Sequence, residues 1–333
     1  MAIYNANANS YKREVLSMKP IQTVSLVGLG AIGSAYLSKI SETLPMEQIR
    51  VIASGRRAEY YRNNGVRING KTYFFPLSEP REQVEPADLL IFAVKFGQLE
   101  QAIQDAKSHV GQNTVVLSLL NGITSEEIIG KAYGAEKVLF SLAVAIDAVR
   151  DGRGTTYQNL GRIPFGEAKN PPGAWSEPVR RVQEFFQRTG IAHEVPQDML
   201  HTLWWKFMIN VGINQVTAVL RAPYGVMQHP GRPRELMIEA FQEVVELSRV
   251  AGVSLSGEDI EECLRVIKTM NPVGKTSMLQ DVEAGRETEV DIFSGTVLRM
   301  GEQYGMEFPV NRMLNRLLLA YEDMVLLKAG GAV

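Results

Sequence analysis

Within Leu203–Asn214, a nearly continuous apolar run, three polar side chains recur at i, i+4 and i+8: Lys206, Asn210 and Asn214. At about 100° per residue the third lies roughly 80° round a helix from the first, so they form one polar stripe. Trp204 and Trp205 stand directly before the lysine. Buried lysine and asparagine are costly without partners. A lysine among aromatic rings has its ammonium pKa drawn down toward working pH, which suits a general acid. Two amides beside it can hold a small oxygen-rich ligand. A solvated face or a satisfied core network is the alternative reading, but a solvated face usually carries acids and more bases.

Other elements must bring a reactant to such a stripe. Thr23-Val24-Ser25-Leu26-Val27 is a short apolar strand, and Gly28-Leu29-Gly30-Ala31-Ile32-Gly33 follows at once, ahead of a helical stretch from Ser34. A G-x-G-x-x-G between a strand and a helix predicts a dinucleotide fold. Gly28 makes the tight turn, Gly30 lets the backbone approach a pyrophosphate, and Gly33 lets helix and strand pack closely. The helix N-terminus favours the phosphate charge.

The second strand, Ile49–Ala53, leads into Ser54-Gly55-Arg56-Arg57, with no acid before Glu59. NAD enzymes usually end this strand with Asp or Glu to hold the ribose hydroxyls. A serine and two arginines welcome a 2′-phosphate instead, so NADPH/NADP+ is the expected cofactor. A solvated basic turn is the alternative.

Val66–Ile68 and Thr72–Phe75 predict a hairpin about Asn69-Gly70. Leu89–Val94 and Thr114–Leu120 are continuous apolar runs, typical of buried parallel strands. Lys95 and Asn121 stand at their C-terminal ends, where open α/β sheets gather ligands. Either could equally cap backbone groups in a loop. Val138–Phe140 and Ala143–Ile146 continue the strand pattern. Thr155–Tyr157 and Ile163–Phe165 are expected to close the sheet, before a helix over Pro178–Arg188 and a last strand, Ala192–Val195. From Asp198 the pattern is helical throughout: a first helix up to Pro223, then Arg234–Val250, Glu258–Met270, Thr276–Ala284, Asp291–Gln303 and Val310–Leu327. Four regions are expected: a flexible leader, 1–20; an NADP-binding Rossmann-type α/β domain, 21–196; an all-α substrate and dimerisation domain, 197–328; and a tail, 329–333.

The 333 residues suffice for two domains, and 45% hydrophobic with 22% charged residues is ordinary for a globular chain. A net charge of −2 offers no basic field to nucleic acid, and no apolar run is long enough for a membrane helix. Cys263 is the only cysteine, which excludes disulfides and cysteine metal sites within the chain and fits a reducing, cytoplasmic setting. No metal is expected.

Two further pieces complete the constellation: Thr276-Ser277-Met278-Leu279-Gln280-Asp281 at a helix start, where the serine caps the helix or faces a ligand, and Thr288-Glu289-Val290-Asp291. In order along the chain stand G-x-G-x-x-G, Val94-Lys95, Asn121-Gly122, Trp205-Lys206-x-x-x-Asn210-x-x-x-Asn214 and Ser277-Met278-x-Gln280-Asp281. This series resembles the ketopantoate reductase family over about residues 22–325. The lysine–asparagine helix and the Ser-Met-x-Gln-Asp stretch are its specific parts. The resemblance implies a Rossmann-type domain followed by a helical domain like the C-terminal one of 6-phosphogluconate dehydrogenase. It further implies NADPH-dependent reduction of 2-dehydropantoate to pantoate, a step toward coenzyme A, with a small 2-oxo acid and a second copy of the chain as partners.

By the same resemblance Lys206 is the general acid, and Asn210, Asn214 and Ser277 are substrate-binding positions. Asn121 and Lys95 lie near the nicotinamide and the adenosine phosphate, Ala148 is a further cofactor contact, and Glu289 orders cofactor or substrate. Three departures bear on cofactor and substrate. Ser54 stands where the family commonly has arginine, which passes phosphate recognition to Arg56 or Arg57. Gly274 stands where an asparagine is common, and Tyr224 replaces another asparagine near the substrate. With the glycine turn in one domain and Lys206, Ser277 and Glu289 in the other, a shared substrate is expected between them. The alternatives are a reductase of another branched 2-oxo acid and a non-enzymatic NADP-binding sensor, for which a lysine in an apolar setting has no use.

Overall fold

The computed structural model describes residues 19–80, 82–152 and 154–330. Residues 1–18 of the expected leader, and the tail beyond residue 330, lie outside the described residues. The chain divides into two compact units. One runs up to Leu120 and resumes over Ser125–Met199; the other takes Asn121–Thr124 and continues from Leu200.

The first unit is built on strands β1 (Val24–Val27), β2 (Ile49–Ile52), β5 (Leu77–Ser78), β6 (Leu89–Phe92), β7 (Val115–Ser118), β8 (Val138–Ser141), β11 (Ile163–Gly166) and β12 (His193–Glu194), in the order β12-β11-β8-β7-β6-β1-β2-β5. Pairing is parallel throughout except where β11 runs antiparallel to β8. Every residue of β1, β6 and β7 is buried, which is why these segments are mostly apolar, with only Ser25 and Ser118 polar, rather than alternating. Alternate side chains still part to two cores. Leu26, Leu89, Ile91 and Leu117 join Val179, Val182, Phe185 and Phe186 of helix α5 (Glu177–Thr189). Val27, Leu90, Phe92 and Val116 join Leu99, Ala102 and Ile103 of helix α3 (Leu99–Asp105). Each such side chain, fully buried, contributes about 1.5–3 kcal/mol. Strand order reverses beside β1, between helices α1 (Ala31–Ile40) and α3, the place where doubly wound sheets take ligands.

Two expectations for the sheet are corrected. Thr155–Tyr157 does not close it. Strand β10 (Gly154–Thr156) instead pairs with β3 (Val66–Ile68) and β9 (Val149–Asp151), and with β4 (Lys71–Tyr73) these make a separate four-stranded sheet. The pairing between β3 and β10 is non-local, so no local pattern could announce it. Ala143–Ile146 forms only the bridge Val144–Arg162, because Ala145, at φ +57°, breaks the extended run.

The second unit is helical. Its core helix is α9 (Arg232–Val250), beside α6 (Met199–Ile209), α7 (Gln215–Leu220), α8 (Tyr224–Gln228), α10 (Gly257–Thr269), α11 (Ser277–Glu283), α12 (Ser294–Tyr304) and α13 (Pro309–Ala329). Glu243 of α9 is buried, yet its carboxylate accepts from Val310 N, Asn311 N and Asn311 Nδ2, all at 2.8 Å. It thereby satisfies donors that the first turn of α13 leaves free.

The helix expected as one piece up to Pro223 is interrupted. Asn210–Asn214 forms a π-turn between α6 and α7. Gln215 Nε2 donates to Val211 O at 2.6 Å and Thr217 Oγ1 to Ile213 O at 2.7 Å, so side chains meet carbonyls where the regular ladder is disturbed. Gly212 makes the bulge possible against α9: a Cβ there would lie 2.2 Å from Phe241 Cε1.

Candidate active site

The glycine turn in the first unit has the geometry its spacing predicts. Gly28 has φ +101°, and a Cβ on it would meet Ala93 O at 2.5 Å. Gly30 is the N-cap of α1, and a Cβ there would have nothing nearer than Ala93 O at 3.8 Å. Gly33 is tight, its Cβ position 2.0 Å from Gly28 O. The three glycines thus turn the chain, leave the helix N-terminus open and let helix and strand meet. Leu29 is buried, while Ala31 and Ile32 open the helix half-buried.

Beside the turn lies a cavity of about 320 Å³ lined by Gly28, Leu29, Ser54, Arg57 and Tyr61, with Gln98, Gln101 and Asp105 from the α3 side. Ser54 is the N-cap of helix α2 (Gly55–Asn64) without using its hydroxyl as a cap. Arg57 lines the cavity and Arg56 does not. A glycine cradle, an uncapped helix N-terminus and an arginine fit the charged part of a dinucleotide. Lys95 is exposed at the N-cap position after β6. Ala148 is half-buried directly before β9.

That strand carries a residue the sequence reading missed. Arg150 Nη1 donates to Leu29 O at 2.5 Å and to Ser34 Oγ at 3.2 Å. A guanidinium is therefore bonded to the glycine turn and to the first turn of α1. Only the β9 and β10 pairing brings it there, and a lone arginine in a polar hairpin carries no local signal.

In the second unit, Asn121, Asn210, Glu289 and Lys206 come together. Asn121 Nδ2 donates to Glu289 Oε2 at 2.9 Å, and Asn210 Nδ2 reaches Asn121 Oδ1 at 3.5 Å. Asn210 and Asn214 are buried, and Lys206 is half-buried one turn before Asn210. The π-turn serves the stripe. Four residues of regular helix overshoot a full turn by about 40°; the wider turn removes that drift between Asn210 and Asn214.

Burial pulls the Lys206 ammonium pKa below the usual lysine value, with Cys263 and then Glu289 acting in the opposite direction. Burial also pushes the Cys263 thiol well up, so it is neutral near pH 7 and carries no charge with which to attract an ammonium. Glu289 is then the partner that keeps the proton on Lys206.

Ser277 is exposed and is not the cap of its helix. Thr276 is, accepting from Leu279 N at 3.1 Å while its hydroxyl meets Thr217 Oγ1 at 2.8 Å. Tyr224 and Gly274 touch. A Cβ on Gly274 would stand 3.0 Å from Tyr224 Cδ2, and Tyr224 N donates to Gly274 O at 3.0 Å. The two departures from the resembled pattern are thus one: the ring takes the space a side chain at 274 would need. Burial raises the Tyr224 phenol pKa, so it is a neutral donor.

A buried acid follows the Asn121 loop. Glu126, in the first turn of helix α4 (Ser125–Tyr133), accepts from Ser125 Oγ at 2.9 Å, and Ser125 Oγ lies 2.8 Å from Ser118 Oγ. Burial raises its carboxyl pKa to about 7 against the lowering effect of these hydrogen bonds. Among the described residues no group of acids, histidines or cysteines is arranged to hold a metal, and no helix is long and apolar enough to cross a membrane.

A nucleotide-type turn on an α/β unit, followed by a helical unit with a lysine–amide cluster, is the layout of a dinucleotide-linked oxidoreductase. The family description "Ketopantoate reductase PanE/ApbA" matches residues 24–170, and its C-terminal counterpart matches residues 198–322. The chain belongs to the ketopantoate reductase family. It is 28% identical over 310 residues to a 2-dehydropantoate 2-reductase of Pyrococcus horikoshii, covering 90% of this chain and 98% of that one. Among solved structures it resembles D-mandelate dehydrogenase in complex with NADH and anilino(oxo)acetate, with a TM-score of 0.80, 22% identity and coverage of 91% and 99% of the two chains. It also resembles a dimeric ketopantoate reductase from Staphylococcus aureus, with a TM-score of 0.76, 18% identity and the same coverage.

Proposed function

We propose that the chain is an NADPH-dependent reductase that converts 2-dehydropantoate to pantoate in the cytoplasm, on the route to pantothenate and coenzyme A. The observation that carries this reading is Lys206: a half-buried lysine with lowered pKa, followed by two buried asparagines, with Glu289 opposing the effect of burial. The curated relatives with this name, matched over nine-tenths of the chain, support the substrate class.

NADPH supplies the hydride to the keto carbon. Gly28, Leu29, Gly30, Ala31, Ile32 and Gly33 hold the pyrophosphate with main-chain N–H groups, Ser54 and Arg57 take the 2′-phosphate, and Lys95, Asn121 and Ala148 complete the cofactor contacts. Asn210, Asn214 and Ser277 donate to the carboxylate and carbonyl of the keto acid. Lys206 Nζ gives its proton to the oxygen as negative charge grows there, where stabilisation lowers the barrier most. Glu289, held by Asn121 at 2.9 Å, keeps Lys206 protonated and ready to donate. A second copy of the chain is the expected protein partner.

Reduction of a different branched 2-oxo acid is the second reading, and the Tyr224 ring over Gly274 favours it by giving this position an aromatic wall in place of amide side chains. Steady-state oxidation of NADPH and of NADH against a panel of 2-oxo acids tests both readings. The expected result is the highest kcat/KM with 2-dehydropantoate and NADPH. NADPH binding without turnover of any 2-oxo acid would favour a sensor instead.

A further inference from the structure

Glu289 stands at the end of a stretch, 284–289, that belongs to no helix, yet its carboxylate meets Asn121 Nδ2 at 2.9 Å. Backbone outside a helix or sheet needs other partners to hold it. Two neighbours on α13 supply them. Tyr321 OH donates to Val282 O near the end of α11. Glu322 Oε1 accepts from Thr288 N at 2.7 Å and from Thr288 Oγ1 at 2.6 Å. Bonds to a charged oxygen are about twice as strong as neutral ones.

The Thr288 hydroxyl has one proton, and Glu322 takes it. Its oxygen is left to accept from Val290 N at 3.3 Å. The residues on both sides of Glu289 are thereby tied to one carboxylate. The Glu289 carbonyl in turn accepts from Ile292 N at 3.2 Å. Upstream, Arg286 N donates to Asp281 O at 2.9 Å and Arg286 Nε to Asp281 Oδ1 at 2.7 Å, which fastens the start of the stretch to α11.

We propose that Glu322 is a positioning residue for the active site: it holds Thr288, and through Thr288 it sets the Glu289 carboxylate where it meets Asn121 and acts on Lys206. The inference rests on the role proposed above for Glu289, keeping the proton on Lys206. Glu322 works by placement and not by its own charge. The titratable groups that act on Lys206 are Cys263 of α10, a neutral thiol, and Glu289. An anchor that merely steadied the stretch would leave the Lys206 proton indifferent to its loss.

The test reads that proton directly. Lys206 is half-buried, within reach of a small acylating reagent. Acetic anhydride labels only the unprotonated amine. Labelling of the full-length protein against pH, followed by peptide mass spectrometry, gives the pH at which Lys206 loses its proton. Glu289→Gln should lower that midpoint by about one unit, as loss of a neighbouring opposite charge does. Glu322→Ala should lower it too, and should add nothing in the Glu289→Gln background. Glu322→Gln removes the charge but keeps an oxygen for both Thr288 donors, so it should stay close to wild type. Thr288→Val, which removes only the hydroxyl, should shift the midpoint in the same direction as Glu322→Ala, and it decides in its place if circular dichroism shows Glu322→Ala unfolded.

A wild-type midpoint in Glu322→Ala, while Glu289→Gln shifts it, overturns the inference alone. So does a shift that persists in full beside Glu289→Gln. An equal shift in Glu322→Gln would mark an effect of charge and overturn placement. No shift in Glu289→Gln overturns the role of Glu289 and the inference together. The labelling needs no substrate, so each outcome stands whichever 2-oxo acid is reduced.

Discussion

Asn121 and Glu289 are separated by 168 residues, yet the amide of one donates to the carboxylate of the other at 2.9 Å. Asn121 is thus fixed from two sides, by Glu289 and by the Asn210 amide. The carboxylate so held opposes the lowering of the Lys206 pKa that burial causes. If Lys206 is the general acid, activity is lost as pH rises through its pKa. Glu289→Gln removes the negative charge, so the basic limb of the kcat profile should move to lower pH. A profile that falls in height without moving would separate Glu289 from proton donation.

Lys206→Ala should lower kcat by about 10²–10⁴, the usual worth of a positioned acid, while NADPH still binds. Asn210→Ala should mainly raise KM for the keto acid, because the role proposed for it is to hold substrate and not to move a proton. Near-normal kcat in Lys206→Ala would make the polar stripe structural.

Two arginines at the glycine turn should separate in their effects. Arg57 lines the cavity and Arg56 does not. Arg57→Ala should raise KM for NADPH by about 10–100-fold, the worth of one charge-assisted bond, and leave NADH nearly unchanged. Arg150 is a positioning residue, bonded to Leu29 O and Ser34 Oγ. Arg150→Ala should weaken both cofactors alike, since the turn serves the pyrophosphate common to them. A loss confined to NADPH would assign Arg150 to the 2′-phosphate instead.

Which of these relationships could be read without coordinates follows a physical divide. The glycine turn was legible because strand, turn and helix are contiguous and each glycine answers a local steric demand. The lysine stripe was legible because i, i+4 spacing is also local. Arg150 was not, because its bonds depend on a strand pairing in a second sheet. Nor was the π-turn, since only packing of Phe241 on Gly212 shows where the helix widens. Assigning the cap to Thr276 rather than Ser277 turned on one residue of register, finer than helix-start signals resolve.

Gly212→Ala tests that packing. A methyl group 2.2 Å from Phe241 Cε1 forces the helices apart, and overpacking of this kind costs about 1–3 kcal/mol. Calorimetry should show a lower Tm. KM for the keto acid should rise with it, because Asn210 and Asn214 lose their alignment.

Glu126 predicts a dependence of stability on pH. Its folded pKa of about 7 lies above the ordinary 4.5, so the folded chain holds a proton that the unfolded chain releases. The resulting stabilisation is complete below the unfolded value. It falls as pH rises from about 4.5 to 7 and is gone above, amounting to about 3 kcal/mol at 1.4 kcal/mol per unit. Glu126→Gln should flatten urea-unfolding stability across that window. A wild-type curve already flat there would show that the carboxylate is ionised in the folded chain.

Substrate choice turns on Tyr224. In the proposed binding mode a 2-oxo acid presents a carboxylate and a ketone to Asn210, Asn214 and Ser277; 2-dehydropantoate adds a hydroxyl that 2-oxoisovalerate lacks. Gly274 offers no side chain to that hydroxyl. Tyr224 lies against it, with a phenol that burial keeps neutral and able to donate. A buried hydroxyl left unpaired costs about 1–3 kcal/mol, or roughly 5–150-fold in kcat/KM. Tyr224→Phe should therefore lower kcat/KM for 2-dehydropantoate by that factor and spare 2-oxoisovalerate. Equal effects on both would show that the phenol does not read the hydroxyl, leaving the ring as an apolar wall. A wild-type preference for 2-oxoisovalerate would then follow from the same contact. It would remove 2-dehydropantoate as the substrate while leaving the proposed hydride transfer from the nicotinamide and proton donation by Lys206 in place.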